Sequence, residues 1–155
     1  ETDASLAFNH NTIEVTGQRS INGITPVSDS LVEDIENNYP ENRWVLNTIT
    51  NISDDLSLMA RLNFYGEHYD ERGRIGDDTD LSALIDRIFY LDLELGYDVN
   101  ENLRITAGGS NILDKYVDDI DAPNANRMSV GLQYPRRTAA NYEGGSWYLR
   151  ANCSF

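Results

Sequence analysis

The last nine residues of the chain alternate strictly between apolar and polar side chains. The apolar positions, counted back from the carboxyl terminus, are Phe155, Cys153, Ala151, Leu149 and Trp147. Residues two apart in a β-strand share one face, so this stretch predicts a strand with one apolar and one polar face. Such a strand suits a soluble sandwich, whose apolar faces meet in a core, and equally an outer-membrane barrel, whose apolar face meets lipid. The alternation alone leaves both folds open.

Five further stretches have strand character, and most of them share the two-residue period. They are 5–15, 43–52, 56–69, 88–98 and 103–110. The second stretch is less regular, because Val45 and Ile49 face opposite to Trp44 and Leu46. Segments of about ten residues with this period have the length that a tilted membrane-spanning strand needs.

The connections between these stretches discriminate between the folds. Residues 53–55 and 99–102 form short turns, whereas the other three connections are long, so that short and long alternate strictly. A barrel inserted from one side has short periplasmic turns and long extracellular loops, whereas a sandwich has no reason to sort its loops. The pattern therefore predicts an all-β fold of six antiparallel membrane-spanning strands, with Phe155 at the short-turn side.

Two helices are predicted within the long loops. Ser30 and Glu33 have the spacing of a capping box, which predicts a short helix over residues 29–37. Residues 81–88 carry apolar side chains at helical spacing after Thr79 or Asp80, which predicts a second helix leading into the fourth strand.

Composition excludes several classes of protein. Among 155 residues, 26 are acidic and 12 basic, giving a net charge of −14, which argues against binding of nucleic acid. The mean hydropathy of −0.50 and the lack of a long apolar run exclude a membrane-spanning helix. The single cysteine cannot form an internal disulfide. Residues 1–8 lack the pattern of a secretory signal, so we expect either a cytosolic protein or one that has lost its amino terminus.

Residues 108–116, GGSNILDKY, resemble the penultimate-strand signature N-[IVL]-[FL]-[DN]-x-x-Y of TonB-dependent outer-membrane receptors, although only one residue, Lys115, separates Asp114 from Tyr116. The residues that carry the motif are Asn111, Ile112, Leu113, Asp114 and Tyr116. The likeness extends over residues 91–116, over VEDIENNYPENRW at 32–44 and over YPRRTAANYEGGSWYLRANCSF at 134–155. It covers essentially the whole chain.

The resemblance implies a fold and a function. Residues 1–155 would form the C-terminal part of a 22-stranded transmembrane β-barrel in the outer membrane of a Gram-negative bacterium, and the plug domain and earlier strands would be absent from them. Such a receptor takes up a scarce solute, most often a ferric siderophore, by contact of the plug's TonB box with the TonB complex. It needs no cofactor and is not an enzyme. Haem, cobalamin and an oligosaccharide remain open as alternative ligands.

The resemblance also implies roles for residues. The apolar positions Trp147, Leu149, Ala151, Cys153 and Phe155 would form the signal read by the barrel assembly machinery, and Phe155 could also anchor in an aromatic girdle. The lumen would be lined by Arg61, Asn63, Tyr65, Glu67, Asp92, Glu94, Arg104, Tyr148 and Arg150. Arg104 is diagonal to Glu94 across a short turn, so we expect these two charges to pair.

The substrate path is expected at the upper lumen and in the long loops. Its predicted residues are Tyr65, Glu67, Tyr69, Arg136, Arg137 and Tyr142. Arg136 and Arg137 would attract an anionic ligand such as a ferric siderophore.

The remaining histidines and acidic residues indicate neither catalysis nor a metal site. His10 and His68 have the parity of neighbouring apolar residues, so we expect both on the outer face near strand ends, in contact with the membrane interface rather than with a metal. Two acidic clusters lack the spacing of a calcium loop, and we expect solvated loops that could bridge lipopolysaccharide through divalent ions. These clusters are Asp77, Asp78 and Asp80, and Asp118, Asp119 and Asp121.

Two rival interpretations remain. A small autonomous barrel with a structural or adhesive role needs at least eight strands, and only residues 127–134 offer a seventh. A soluble β-sandwich, acting as a binding module or hydrolase, would bury the apolar faces against one another. Convergence of Leu58, Leu93 and Leu149 in a dry interior would favour the sandwich.

Overall fold

The computed structural model describes residues 1–24, 27–70, 83–119, 133–135 and 138–155. Its elements in chain order are β1 (Thr2–His10), α1 (Asp29–Asn37), β2 (Asn42–Asn51), β3 (Leu56–Tyr65), β4 (His68–Asp70), β5 (Ala83–Ile85), β6 (Ile88–Asn100), β7 (Leu103–Ser110) and β8 (Ser146–Cys153). Six strands form one antiparallel sheet in the order β1-β2-β3-β6-β7-β8, and β4 and β5 form a separate hairpin. The predicted all-β fold with six antiparallel strands is confirmed.

The strand register carries the alternation of the sequence across the whole sheet. Trp44, Phe64 and Phe89 form one transverse row, and Leu46, Leu62 and Leu91 form the next row on the same face. This apolar face comprises Leu6, Phe8, Trp44, Leu46, Leu58, Leu62, Phe64, Phe89, Leu91, Leu93, Leu95, Ile105, Trp147 and Leu149. The opposite, polar face carries Ser5, Asn47, Arg61, Asn63, Asp92, Glu94, Asp98, Arg104, Tyr148 and Arg150, together with a few apolar side chains, among them Val45, Ile49 and Met59.

The apolar face is not covered by a second layer of the described residues. The elements in contact are neighbouring strands of the sheet, the β4-β5 hairpin, and α1 with β4. Trp147 is 78% exposed and Leu149 77% exposed, and Leu58 and Leu93 lie beside them in the same single layer. These leucines do not converge, so the sandwich is not the fold of the described chain.

The small buried core lies at the other side of the sheet, near the long connections. It consists of Ile85, Ile88, Tyr90, Val117 and Ala140, with Tyr65 and Tyr134 packed against it. Ile88 and Tyr90 belong to the polar face, because they pair with Tyr65 and Asn63. The loops therefore pack over the polar face at one end, here called the loop end. The opposite end, with the turns 52–55 and 101–102, is the turn end.

Five of the six predicted strands have different bounds in the structure, and the first and third strands differ most. The first strand spans Thr2–His10 rather than residues 5–15, because its partner β2 begins at Asn42 and residues beyond His10 have no place in that ladder. The third strand ends at Tyr65, where Gly66 approaches the backbone of Asn42 so closely that a side chain would overlap it. The last strand ends at Cys153 rather than at the terminus.

The predicted helix over residues 81–88 is wrong for the part that is described. Ala83–Ile85 instead forms β5, which pairs with β4. Ile85 is fully buried there. Pairing with a distant strand has overridden the local helical spacing.

The predicted helix over residues 29–37 is confirmed, but its cap is not. Ser28, not Ser30, is the N-cap, and its hydroxyl accepts a hydrogen bond from the Leu31 amide at 3.2 Å. None of the helices in the described ranges is long and apolar enough to cross a membrane.

Candidate functional site: the polar face and its loop end

Arg104 joins three strands on the polar face. Its guanidinium donates to the Asp98 carboxylate at 2.6 Å and to the Ser57 hydroxyl at 2.6 Å, crossing Gly96 on the way. The predicted pairing of Arg104 with Glu94 is therefore wrong. Asp98 lies directly opposite Arg104 in the register, and the side chain has only to cross one glycine to reach Ser57.

Glu94 has a different partner. The Tyr148 hydroxyl donates a hydrogen bond to its carboxylate. The register aligns Glu94, Gly108 and Tyr148 in one row, and the tyrosine ring lies over the glycine, where a Cβ would overlap it. The Arg150 guanidinium lies 5.3 Å from the centre of the same ring. Glycine thus creates the space in which the ring crosses β7.

Asp92 connects the sheet to the loop that follows β7. One carboxylate oxygen accepts hydrogen bonds from the Ser110 hydroxyl and the Asn111 amide, both at 2.8 Å. The other oxygen has only a 3.5 Å contact with the Asn63 side-chain amide. Asp92 therefore holds the start of the loop with one oxygen and keeps the other weakly engaged.

Asn111, the first motif residue, is the centre of this loop. It is 6% exposed and has a φ of 48°, which asparagine tolerates better than most residues. Its side chain donates to the carbonyl groups of Lys115 and Glu143 at 2.8 and 3.3 Å, and accepts from the Lys115 amide at 3.0 Å. Asn111 thereby joins the turn after β7 to the segment that precedes β8.

The other motif residues strengthen the same junction. The Ile112 amide bonds to the Leu91 carbonyl, and the Gly145 amide donates to the Asp114 carboxylate at 2.8 Å. A hydrogen bond with that carboxylate raises the pKa of Tyr116, whose hydroxyl lies where a side chain at Gly144 would be. Leu113 is 46% exposed and has no comparable contact in this junction. The motif of the sequence is therefore a structural clamp.

His68 is buried, not on the outer face as its parity predicted. It is 2% exposed, because Gly66 interrupts the strand and the alternation no longer continues through it. Its Nε2 accepts from the Ala139 amide at 3.2 Å, so Nδ1 carries the hydrogen that bonds the Gly66 carbonyl at 3.1 Å. Burial lowers the pKa of His68.

His10, by contrast, lies on the apolar-face side as predicted. It is exposed, and its ring stacks on Phe8.

The described residues of the predicted substrate path lie at the loop end but not in one cluster. Tyr65 lies against Tyr90, with the Arg43 guanidinium 4.8 Å from its ring centre. Tyr69 pairs with Leu84 in the β4-β5 hairpin. Tyr142 ends a stack of three nearly parallel rings with Tyr134 and Tyr116. Arg136 and Arg137 lie outside the described residues.

Glu67 lines the larger cavity, which is one of several at the loop end. This cavity has a volume of about 950 Å³, and its ionisable lining residues are Glu36, Glu41, Glu67, Asp86 and Arg87. These side chains come from α1 and three separate connections, so sequence spacing gives no signal of their proximity.

The smaller cavity has a volume of about 200 Å³ and lies over the polar face below the loops. Asn63, Tyr65, Tyr90, Asp92, Asn141 and Glu143 are among its lining residues. Asn63, Tyr65 and Asp92 are predicted lumen residues, whereas Tyr90, Asn141 and Glu143 were not predicted. No group of His, Cys, Asp or Glu residues in the described ranges is arranged to hold a metal ion.

Of the two acidic clusters, only Asp118 and Asp119 are described. Asp118 accepts from the Asp86 amide and Asp119 from Gln133, so both are used in loop contacts. The rest of these clusters, and the possible seventh strand over residues 127–132, lie outside the described residues.

Two solved structures share this arrangement of strands. The ferric-catecholate import receptor Fiu from E. coli K12, in its closed form, matches with a TM-score of 0.64 and 18% identity over 99% of this chain. A G324V mutant of the ferric enterobactin receptor PfeA from Pseudomonas aeruginosa matches with a TM-score of 0.57, also with 18% identity over 99% of this chain. The chain has the fold of a receptor barrel section.

The chain covers only part of the length of these two structures. It spans 19% of the Fiu chain and 20% of the PfeA chain, about a fifth of either. No family model matches the sequence, and no curated protein matches it. The resemblance to TonB-dependent receptors, predicted from residues 108–116 and the carboxyl terminus, is thus confirmed at the level of fold.

The predicted assembly signal has the expected placement in the sheet. Trp147, Leu149 and Ala151 pair across β7 with Gly109, Ala107 and Ile105, and so lie on the apolar face with Cys153. Their recognition by an assembly machinery stays a prediction, as does the role of Phe155.

Proposed function

We propose that the chain forms part of the wall of an outer-membrane receptor for active uptake of a ferric siderophore. The observation that carries the proposal is the single-layered sheet with one continuous, exposed apolar face and one polar face of paired side chains. A soluble protein would have to cover such an apolar face, whereas a membrane barrel turns it to lipid.

The orientation follows from the two ends of the sheet. The turn end would face the periplasm and the loop end the cell exterior, since outer-membrane barrels have short periplasmic turns. In the described sheet, β1 and β8 each pair along one edge. Unpaired backbone groups cost several kcal/mol each in lipid, so both edges would have to pair with further strands of the barrel.

The proposed ligand class comes from the solved relatives and from charge. Fiu imports a ferric catecholate and PfeA is a ferric enterobactin receptor. The larger cavity of this chain, with four carboxylates and one guanidinium in its lining, would repel a free polyanion. Any attraction of an anionic chelate would have to come from other basic residues, for which Arg136 and Arg137 are our candidates.

The proposed partners follow from the receptor class. A plug domain would contact the TonB complex, lipopolysaccharide would surround the loop end, and the barrel assembly machinery would read the strand that ends at Phe155. The solute would pass unchanged, so we propose neither catalysis nor a cofactor. Nucleic acid has no place in this function.

Uptake of radioactive iron tests the proposal. The gene that contains this chain is expressed in a Gram-negative strain lacking its own siderophore receptors, and ferric catecholate, hydroxamate and carboxylate chelates are offered separately. We expect uptake of at least one chelate, and its loss when TonB is deleted. A folded, heat-modifiable protein in the outer membrane that imports none of them would refute the proposal.

A further inference from the structure

The smaller cavity at the loop end has the chemistry of a binding site for a hydroxylated ring. We propose that it is a subsite for a sugar-like group, of the size of one hexose, carried by the imported ligand. This inference deepens the proposed uptake function and rests on it for the ligand's identity. The side chains that would contact this group are those of Asn63, Tyr65, Tyr90, Asp92, Asn141 and Glu143, which all line the cavity.

The size of the cavity limits its occupant. A volume of about 200 Å³ is below the roughly 300–1,000 Å³ of cavities that enclose a drug-sized ligand. The cavity can therefore take one ring of a ligand, whereas a whole ferric chelate cannot enter it. The rest of the ligand would remain in the lumen above the polar face.

Two amide–carboxylate pairs in the lining are only weakly engaged with each other. Asn63 approaches Asp92, and Asn141 approaches Glu143, each with a nitrogen–oxygen distance of 3.5 Å. This distance is beyond the 2.7–3.2 Å of a normal N–H···O hydrogen bond. Replacing either contact by a hydrogen bond to a ligand therefore sacrifices little.

These groups together suit hydroxyl groups better than a cation. A carboxylate only accepts, whereas a side-chain amide both donates and accepts, as a hydroxyl does. A bound ammonium group would use the two carboxylates and leave the amide donors unused. A hydroxylated ring can pair with donors and acceptors alike, and the tyrosines supply apolar surface for its carbon atoms.

The supporting contacts hold the cavity in shape. Asp92 is fixed through its other oxygen by Ser110 and the Asn111 amide. The Tyr90 hydroxyl donates to the Asn141 carbonyl, and Asn141 accepts from the Glu143 amide at 3.1 Å. The weakly engaged groups thus project from a lining that is otherwise well bonded, which is the arrangement of a preformed site.

Binding of methyl β-glucoside to the purified receptor containing this chain tests the subsite without requiring transport. Saturation-transfer NMR should detect the glucoside on the wild-type receptor. Asn63→Leu should reduce the saturation-transfer signal of the glucoside about tenfold, because it removes both a hydrogen-bond donor and an acceptor. The matched control is Asn47→Leu, at an amide on the same face that does not line the cavity, and it should leave the effect unchanged.

Uptake of two matched chelates tests the role in transport. A ferric tris-catecholate carrying one glucosyl group should be imported about tenfold better than the same chelate without it, and Asn63→Leu should abolish this preference. A third chelate with an amino group in place of the sugar tests the cation alternative, and its preferred import would overturn the proposal. Absence of glucoside binding would also overturn the subsite, even if all chelates were imported. Glucoside binding without any iron uptake would support the subsite and refute the proposed transport.

Discussion

The two faces of the sheet are built by different rules. On the apolar face, leucine meets leucine and aromatic rings meet aromatic rings along transverse rows, and no contact depends on one particular partner. On the polar face, Arg104 holds Asp98 and Ser57, and Tyr148 holds Glu94. The apolar face therefore requires a class of side chain, whereas the polar face requires particular residues at particular positions.

Two glycines make these particular contacts of the polar face possible. Gly96 and Gly108 belong to the polar face, and each lies beneath a long side chain that crosses it, Arg104 and Tyr148 respectively. Glycine within a strand weakens it by loss of side-chain packing and by backbone entropy. Here the crossing side chain covers the gap and gains a partner on the next strand but one. The polar face thus links strands beyond nearest neighbours.

The largest expected effect comes from placing the same charge on each face. Leu46 and Val45 are adjacent on β2, with Leu46 on the apolar face and Val45 on the polar face. In the proposed barrel, Leu46→Arg should destabilise the folded receptor by about 2–4 kcal/mol, because it exposes a guanidinium to the hydrocarbon. Val45→Arg should cost far less, since it faces the lumen. Denaturant unfolding from liposomes measures both, and equal costs would mean that lipid does not contact the apolar face.

The second prediction tests whether the loops, like the polar face, require particular residues at particular positions. Asn111→Ala should cost about 1–3 kcal/mol, because it leaves the Lys115 amide and the carbonyl groups of Lys115 and Glu143 without their partner. The substitution should also accelerate hydrogen exchange at the Lys115 amide. Leu113→Ala, in the same motif but 46% exposed, is the control and should change stability by less than about 0.5 kcal/mol. Equal losses would contradict the description of Asn111 as a clamp.

The same difference explains what could be predicted from the sequence. The faces of Leu46, Leu62 and Leu91 follow from a two-residue period, which is local information. The pairing of Arg104 with Asp98 depends on the register of β6 and β7, and its hydrogen bond to Ser57 depends on the empty space above Gly96. Charge spacing along the sequence contains neither and predicted Glu94 instead. Polarity is encoded residue by residue, whereas specific partners are set by the neighbouring strands.

The loop end was predicted least well, for a related reason. Parity placed His68 outside, but Gly66 ends the strand, and parity has no meaning beyond that point. Residues 83–85 have the spacing of a helix yet pair with β4, a contact between distant segments. The loop residues Asn141 and Glu143 line the smaller cavity, and their carbonyl groups accept hydrogen bonds from Tyr90 and Asn111 respectively. Local patterns contain none of these contacts.

A smaller effect tests the role of glycine on the polar face. Gly108→Ala should displace the Tyr148 ring and break its hydrogen bond to Glu94, at a cost of about 1 kcal/mol. Tyr148→Phe removes the hydrogen bond but keeps the ring, so it separates the two contributions. If the space above Gly108 matters, the double variant should be less stable than Tyr148→Phe alone. Unfolding of all three variants in liposomes gives their free energies of unfolding. If the double variant is as stable as Tyr148→Phe alone, the space above Gly108 does not contribute to stability.

The smallest and most conditional effect is that of pH on the loop end. Burial lowers the pKa of His68 below its ordinary value of 6.5, so the folded loops favour the neutral ring. Well above pH 6.5 the ring is neutral in both states, and its contribution to stability is complete. As the pH falls below 6.5, His68 is protonated first in the state in which the loops have opened. The free energy of opening, measured as protection from hydrogen exchange, should therefore decline by at most about 1.4 kcal/mol per pH unit. Hydrogen exchange at the Ala139 amide, which donates to His68 Nε2, measures this decline. His68→Gln should remove the pH dependence, and an identical slope in that variant would assign it to another group.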